Sequence, residues 1–320
     1  MTVRILVGNC PDKLRELPAE SVHCCVTSPP YWGLRDYGEP GQIGLEETFQ
    51  EYVAALVMIF RSVRRVLRDD GTLWLNLGDS YSGSGINDGT KNPGLSRAAT
   101  RSGPKRRPGV AKRYSCPLKP KDLVGIPWRV ALALQDDGWW LRSEIIWNKT
   151  NPMPENVKDR PSRDHEHIFL LSKSHSYYYD ADAIAEAAVG KGNGVKERKF
   201  DDDGSKGRIG KGRSYTIPHE GSSTRNARTV WTFPTKPFPG AHFAVFPPEL
   251  PRRCILAGSP DGGAVLDPFF GAGTTGLVAE RLGRDSIGIE LGRKYAEMGR
   301  DRINGEAPLF SPAMIVEEAP

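Results

Sequence analysis

One stretch constrains the fold of this chain more than any other: "VLDPFFGAGTTG", Val265 to Gly276. It reads as a buried strand, a glycine-rich turn and the start of a helix. Gly271, Gly273 and Gly276 fit the G-x-G-x-x-G spacing, and Glu290 ends the next strand nineteen residues beyond Gly271. Glycines let the backbone approach a ligand, the helix N-terminus offers N–H groups, and a carboxylate at that distance can take ribose hydroxyls. The unit begins near residue 264 of 320, too late for the chain behind it to complete a sheet. Strands from the N-terminal half must supply the rest.

Those strands are legible. "VRILVGNC" and "VHCCVTS" are short apolar strands separated by a brief helical turn, "PDKLRELPAE". "ETFQEYVAALVMIFRSVRRVLRDDG" has apolar residues at helical spacing, with Thr48 as its N-cap and Gly71 as its stop. "GTLWLNLGD" is a buried strand and "LVGIPWRVALALQDDGWW" a second helix. "WLRSEIIWNK" and "DHEHIFLLSKS" form two strands joined by a Pro-rich loop. "FPPELPRRCILAGSP" is a third helix, the glycine turn opens a fourth, "DSIGIEL" is a strand and "GRKYAEMGRDRI" a closing helix. This alternation predicts a doubly wound, mostly parallel α/β sheet with one antiparallel hairpin strand. We read residues 1–320 as a single domain, with residues 304–320 as a polar tail.

Two segments lack apolar periodicity and are strongly basic. Residues 82–121 carry Lys91, Arg97, Arg101, Lys105, Arg106, Arg107, Lys112, Arg113, Lys119 and Lys121 against Asp88. Residues 181–229 are rich in Gly, Lys, Arg and Ser. As insertions in an enzyme-sized chain of net charge +5, they point to a polyanionic partner. No apolar run reaches eighteen residues, and the N-terminus turns polar too soon for a signal peptide. The five cysteines, Cys10, Cys24, Cys25, Cys116 and Cys254, are scattered and show no C-x-x-C pair, which fits a reducing cytoplasm without a structural zinc.

Two features of the sequence meet at the carboxyl ends of strands, where open α/β sheets bind ligands. One is "LDPFF" before the glycine turn. A carboxylate at Asp267 suits an ammonium group and gains nothing from a pyrophosphate, which favours S-adenosylmethionine over a dinucleotide. The other is "TSPPY", Thr27 to Tyr31, where two prolines stop a strand and stiffen the loop after it. A nucleotide-dependent oxidoreductase would use the glycine turn and Glu290 but would leave "TSPPY" and the basic insertions without a purpose.

Together these residues resemble the amino-methyltransferases of DNA, which act on exocyclic nitrogens. "TSPPY" is similar to their catalytic motif, "VLDPFFGAGTTG" to their cofactor motif, "IGIE" to the ribose-binding acid, "ILVGNC" to the adenine-contacting segment and "HFAVFPPEL" to the segment lining the methionine end. The catalytic motif precedes the cofactor motif, the circularly permuted order of the family's beta group. The resemblance implies a Rossmann-like methyltransferase fold, S-adenosyl-L-methionine as cofactor and double-stranded DNA as partner. It implies catalytic roles for Ser28, Pro29, Pro30 and Tyr31. It places Asp267, Pro268, Phe269, Gly271, Gly273 and Thr274 at the methionine portion, Glu290 at the ribose and Asn9, where many relatives have Asp, at the adenine.

In that chemistry the Ser28 hydroxyl and Pro29 carbonyl accept from a target amine, Tyr31 stacks on a base flipped out of the duplex, and the amine attacks the sulfonium methyl. The Ser-Pro-Pro form is more typical of N4-cytosine members, with N6-adenine the alternative. Carbon-5 methylation needs a cysteine after a proline, and none of the five cysteines follows one. "IIWNKTNPMPE" resembles the family's segment near the target base, which brings Trp147, Lys149 and Pro152 to the pocket. The second insertion stands at the target-recognition position. A separate restriction endonuclease and the oligomeric state are left open. His165 and His167 read as structural residues of an edge strand, not a metal pair, and "YYYD" at 177–180 as aromatics that could stack bases or divide between core and surface.

Overall fold

The computed structural model describes residues 1–82, 117–188, 224–236, 245–306 and 313–316. The chain opens with β1 (Val3–Val7), α1 (Cys10–Glu16), β2 (Val22–Thr27), α2 (Phe49–Val66) and β3 (Leu67–Leu77). It continues through α3 (Ile126–Asp136), β4 (Trp140–Asn148), β5 (His165–Ser172), β6 (Glu186–Ala187), β7 (Thr224–Arg225) and β8 (Val230–Thr232). The C-terminal part comprises α4 (Glu249–Gly258), β9 (Ala264–Asp267), α5 (Thr274–Arg281), β10 (Asp285–Glu290), α6 (Arg293–Glu306) and β11 (Met314–Val316).

Nine strands make one sheet in the order β11-β1-β10-β9-β2-β3-β5-β4-β8. The late strands β9 and β10 are wedged between β1 and β2, which is the permutation expected from the position of the glycine turn. β5 pairs antiparallel with both β3 and β4, and the other pairings are parallel. The expected doubly wound sheet with one antiparallel strand is therefore present. Its consequence for the site is geometric: β1, β2, β3, β4, β9 and β10 all end at one edge of the sheet, where β5 begins.

Burial on both faces explains the continuous apolar runs. Cys24, Val26 and Trp74 face one core, with Cys254 and Ile255 of α4 and Val278 and Ala279 of α5. Cys25, Leu73 and Leu75 face the other, with Leu56, Phe60 and Val63 of α2 and Val130 and Leu134 of α3. The cysteines of β2 are core residues, and burial pushes the Cys24 thiol up to about 12. Thr48 caps α2 as expected, in a capping box closed by Glu51.

Several expectations are corrected. α2 ends at Val66, not at Gly71, because Leu67 turns directly into β3 and pairs with Val22 of β2. Gly71 lies within that strand; pairing across the sheet overrides the helical pattern of residues 67–70. His165 and His167 lie on β5, which is an inner strand; β8 is the edge. His167 Nδ1 meets Glu144 Oε1 at 2.6 Å and its ring stacks on Phe169. In the expected polar tail, α6 continues to Glu306 and Met314–Val316 adds a parallel strand beside β1.

Most of both basic insertions, residues 83–116 and 189–223, lies outside the described residues, as do residues 237–244. Their stems are described. The first is closed where Ser82 N–H donates to Asp122 O and Lys121 N–H to Ser82 O. The second springs from the short β6–β7 ladder, where Glu186 pairs with Arg225 and Arg228.

Close packing behind the glycine turn gives a direct test. A Cβ on Gly288 of β10 would lie 2.2 Å from the ring of buried Phe270. Gly288→Ala is expected to destabilise the protein by about 1–3 kcal/mol, the usual range for overpacking a core. Denaturant titration reads this; an unchanged midpoint would show that Phe270 yields freely.

Candidate active site

The edge where these strands end opens into a cleft of about 1240 Å³. Its lining includes Asn9, Ser28, Pro29, Pro30, Tyr31, Asp267, Pro268, Phe269, Gly271, Thr274 and Glu290, from four different strand ends. Trp147, Lys149 and Pro152 join them from the far side, and Thr235 and Lys236 follow β8. Gly273 is the exception among the expected residues. It lies behind the turn at φ +73, capping α5, with Phe270, Gly299 and Ile303 within 3.4 Å of where a Cβ would stand. The tyrosines at 177–179 also lie away from the lining: Tyr177 packs on the core around Trp74, and Tyr179 stacks on Trp74.

At the glycine turn, Asp267 is buried and fully engaged. Its Oδ1 accepts from Thr27 Oγ1 at 2.6 Å and from Phe269 N–H at 3.1 Å, and its Oδ2 from Thr275 Oγ1 at 2.7 Å. Burial raises its pKa to about 6 against these donors. On the next strand, Glu290 accepts Gly271 N–H at 2.8 Å and Gly292 N–H at 2.9 Å, and burial raises its pKa as well. Two carboxylates flank a turn whose own residues, Gly271 to Gly276, carry no cation. That donor set suits a ligand with a positive charge and sugar hydroxyls; it does not suit a pyrophosphate.

The catalytic-motif side is built differently. Tyr52 Oη donates to Pro30 O at 2.8 Å, and Trp32 is buried with its indole N–H on Glu46 O. Tyr31 Oη lies 2.8 Å from Glu166 Oε2 and 3.3 Å from Ser28 Oγ. Asn76 Nδ2 donates to both Tyr31 Oη and Glu166 Oε2, and Lys149 Nζ pairs with Glu166 Oε1 at 2.5 Å. Burial alone would raise the pKa of Glu166; the Lys149 ammonium, with Asn76 and Tyr31, outweighs it and holds the carboxyl below its usual range. Burial, then Glu166, pushes the Tyr31 phenol well above its usual value.

The polarity of this chain of bonds is set at its end. An ionised carboxylate only accepts, so the Tyr31 proton points to Glu166. Tyr31 then has no proton for Ser28, and Ser28 must donate to Tyr31. The Ser28 lone pairs are left to serve as acceptors.

Comparison with known proteins decides the family. The family model described as "DNA methylase" matches residues 22–301. The chain is 48% identical over 304 residues to the Type II methyltransferase M.SmaI of Serratia marcescens, covering 94% of this chain and 90% of the relative. The chain belongs to this family. It is also 48% identical to the Type II methyltransferase M.Cfr9I of Citrobacter freundii, covering 93% of this chain and 87% of that one. The fold matches a Thermus thermophilus protein complexed with S-adenosyl-L-methionine (TM-score 0.60, 24% identity, 99% and 100% of the two chains). It also matches PvuII DNA methyltransferase, described as cytosine-N4-specific (TM-score 0.61, 19% identity, 93% and 86%). The enzyme is an S-adenosylmethionine-dependent DNA methyltransferase of the N4/N6 amino class. Among its described residues, no helix is long and apolar enough to cross a membrane.

Glu166 and Asn76 were not singled out in the sequence. Glu166 stands between His165 and His167, whose pairing is the more conspicuous local pattern. The available signal was β-strand alternation, which puts Glu166 on the face opposite to both. Nothing local marked β5 as the strand that begins at the cleft.

The ring of Tyr31 also rests on Gly78, where a Cβ would lie 2.5 Å from it. Gly78→Ala is expected to displace Tyr31 and lower methyl transfer by about 100-fold, the cost of misplacing a reacting group by about 1 Å. A transfer assay alongside a melting curve checks this; full activity in a folded variant would show that Tyr31 placement is not limiting.

Proposed function

We propose that this enzyme methylates the exocyclic N4 of a cytosine in a specific DNA sequence by direct attack of the amine. The observation that carries this reading is the Thr27–Asp267 hydrogen bond, which joins the residue before Ser28 to the residue heading the glycine turn. The catalytic and cofactor motifs thereby face one another within a single cleft. S-adenosylmethionine, when bound, supplies an electrophilic methyl group on a sulfonium centre.

Each residue then has a task. Asp267 attracts the ammonium of the methionine portion, which Pro268, Phe269, Gly271 and Thr274 line, while Gly273 tightens the turn from behind. Glu290 takes the ribose hydroxyls, and Asn9, at the end of β1, the adenine. The target base leaves the duplex to reach the cleft. Ser28 Oγ and the Pro29 carbonyl accept from its amine and draw nitrogen density out of the ring, while the rigid Pro29-Pro30 pair fixes the carbonyl beforehand. Tyr31 stacks on the base, with its ring already held by Glu166 and Gly78. The serine form of the motif supports cytosine over adenine. The basic insertions supply phosphate and base contacts. The "Type II" designation of the relatives supports a separate endonuclease of the same target sequence as partner.

Transfer of a radiolabelled methyl group to DNA, followed by digestion to nucleosides, tests the whole reading. N4-methylcytosine is expected, and N6-methyladenine would overturn the choice of base. Ser28→Ala and Asp267→Ala are expected to lose at least about 100-fold in rate, the scale of one preorganised polar contact; equal transfer in both would break the assignments.

The raised pKa of Asp267 predicts a pH dependence of cofactor affinity. Above about 6 the free carboxyl is ionised and attracts a cation; as pH falls through 6 it takes up a proton and that attraction is lost. Affinity for S-adenosylmethionine should therefore weaken below pH 6, and Asp267→Asn should flatten the limb. Calorimetric titration across this range reads it; a flat wild-type profile would remove Asp267 from the ammonium site.

A further inference from the structure

We propose that Glu166 receives the proton that the target amine must lose, by way of Ser28 and Tyr31. This rests on the assignment of Ser28 and Tyr31 to the target-base pocket, but not on which base is methylated. Direct attack builds positive charge on the nitrogen, with a proton to shed. The hydrogen bonds from Ser28 Oγ to Tyr31 Oη and from Tyr31 Oη to Glu166 Oε2 all point away from the acceptor face of Ser28. They end on a carboxylate.

In the step, the N–H bond of the amine breaks as its N–CH3 bond forms, and the N–H electron pair stays on nitrogen. The proton passes to Ser28 Oγ as the Ser28 proton moves to Tyr31 Oη and the Tyr31 proton to Glu166 Oε2. The amine gains a methyl group as it loses a proton and ends as a neutral N-methylated base, and the carboxylate becomes a carboxylic acid. Glu166, whose side chain keeps 17% of its surface exposed, returns the proton to water between turnovers. Ser28 and Tyr31 stay neutral throughout, because each gains a proton as it loses one.

The surroundings keep every member in the state this requires. Lys149 and Asn76 hold Glu166 ionised and ready to accept. The high pKa of Tyr31 keeps its phenol protonated and able to donate. Lys149 also compensates the charge that would otherwise stand alone in a largely buried site, where an unpaired carboxylate is costly. Glu166 touches the substrate only through Tyr31 and Ser28, so it is a positioning residue and proton terminus.

Single-turnover methyl transfer to DNA by the full chain, in H2O and D2O, tests this with Tyr31→Phe, Glu166→Gln and the double variant. Each single change is expected to slow transfer by about 100-fold, the lower range for positioned proton transfer, without loss of DNA or cofactor affinity. The double variant should be no slower than the slower single, because both cut one chain. The solvent isotope effect of the wild type should disappear in all three. Tyr31→Phe retains the ring and leaves the Glu166–Lys149 pair intact, so it remains informative if Glu166→Gln fails to fold. Wild-type rate in Tyr31→Phe, additive losses or an unchanged isotope effect would overturn the relay. Failure of the wild type to methylate DNA would instead overturn the underlying reading.

Discussion

The 2.6 Å hydrogen bond from Thr27 to Asp267 joins residues 240 positions apart and sets the relation between the two halves of the site. It exists because β9 pairs with β2 in parallel register, Cys24 opposite Val265 and Cys25 opposite Leu266. Parallel pairing makes the two strands end together. One then runs into Ser28-Pro29-Pro30 and the other into the glycine turn, so the two segments proposed to hold the methyl acceptor and the methyl donor meet without any long loop to align them. The same carboxylate takes Thr275 from α5, which ties the helix behind the turn into the joint. A buried polar knot of this kind is stable only when every group is satisfied, and here both oxygens of Asp267 are.

Two carboxylate environments divide the cleft. Asp267 and Glu290 are held by hydroxyls and backbone N–H groups and form no ion pair among the described residues, and burial raises their pKa values. Glu166 has a lysine against it and stays below the ordinary range. The first arrangement leaves negative potential unspent, for a cationic ligand to use. The second is already neutralised, so its carboxylate orients hydrogen bonds and adds little field of its own. The difference depends on the single ammonium of Lys149, which the β4 strand brings to the end of the sheet where β5 starts.

Much of this was legible along the chain. Glycine spacing, the paired prolines, the late position of the cofactor-type unit and the apolar runs of β2 and β3 each have local physical causes, and the resulting sheet matches them. The structure departs from the local pattern where tertiary pairing overrides it. Residues 67–70 look helical and polar, yet pairing of Leu67 with β2 draws them into a strand. Residues 314–316 look like tail, yet β1 offers them a free edge. Gly273, which the resemblance puts at the methionine portion, takes a left-handed conformation at the cap of α5 and packs against Phe270.

The sequence by itself determined a permuted α/β sheet with a glycine turn and a proline-stiffened loop at its strand ends, because backbone stiffness at the prolines, backbone freedom at the glycines and continuous burial of the strands are properties of short segments; the methyltransferase chemistry came from its resemblance to a family. Only the tertiary structure decided which side chains stand around Tyr31. Glu166, Asn76 and Lys149 come from three different strands or their ends, and one of those strands runs against the others. Strand direction is set by how distant segments pair, and no local feature of "DHEHIF" states that its first residues open onto the cleft.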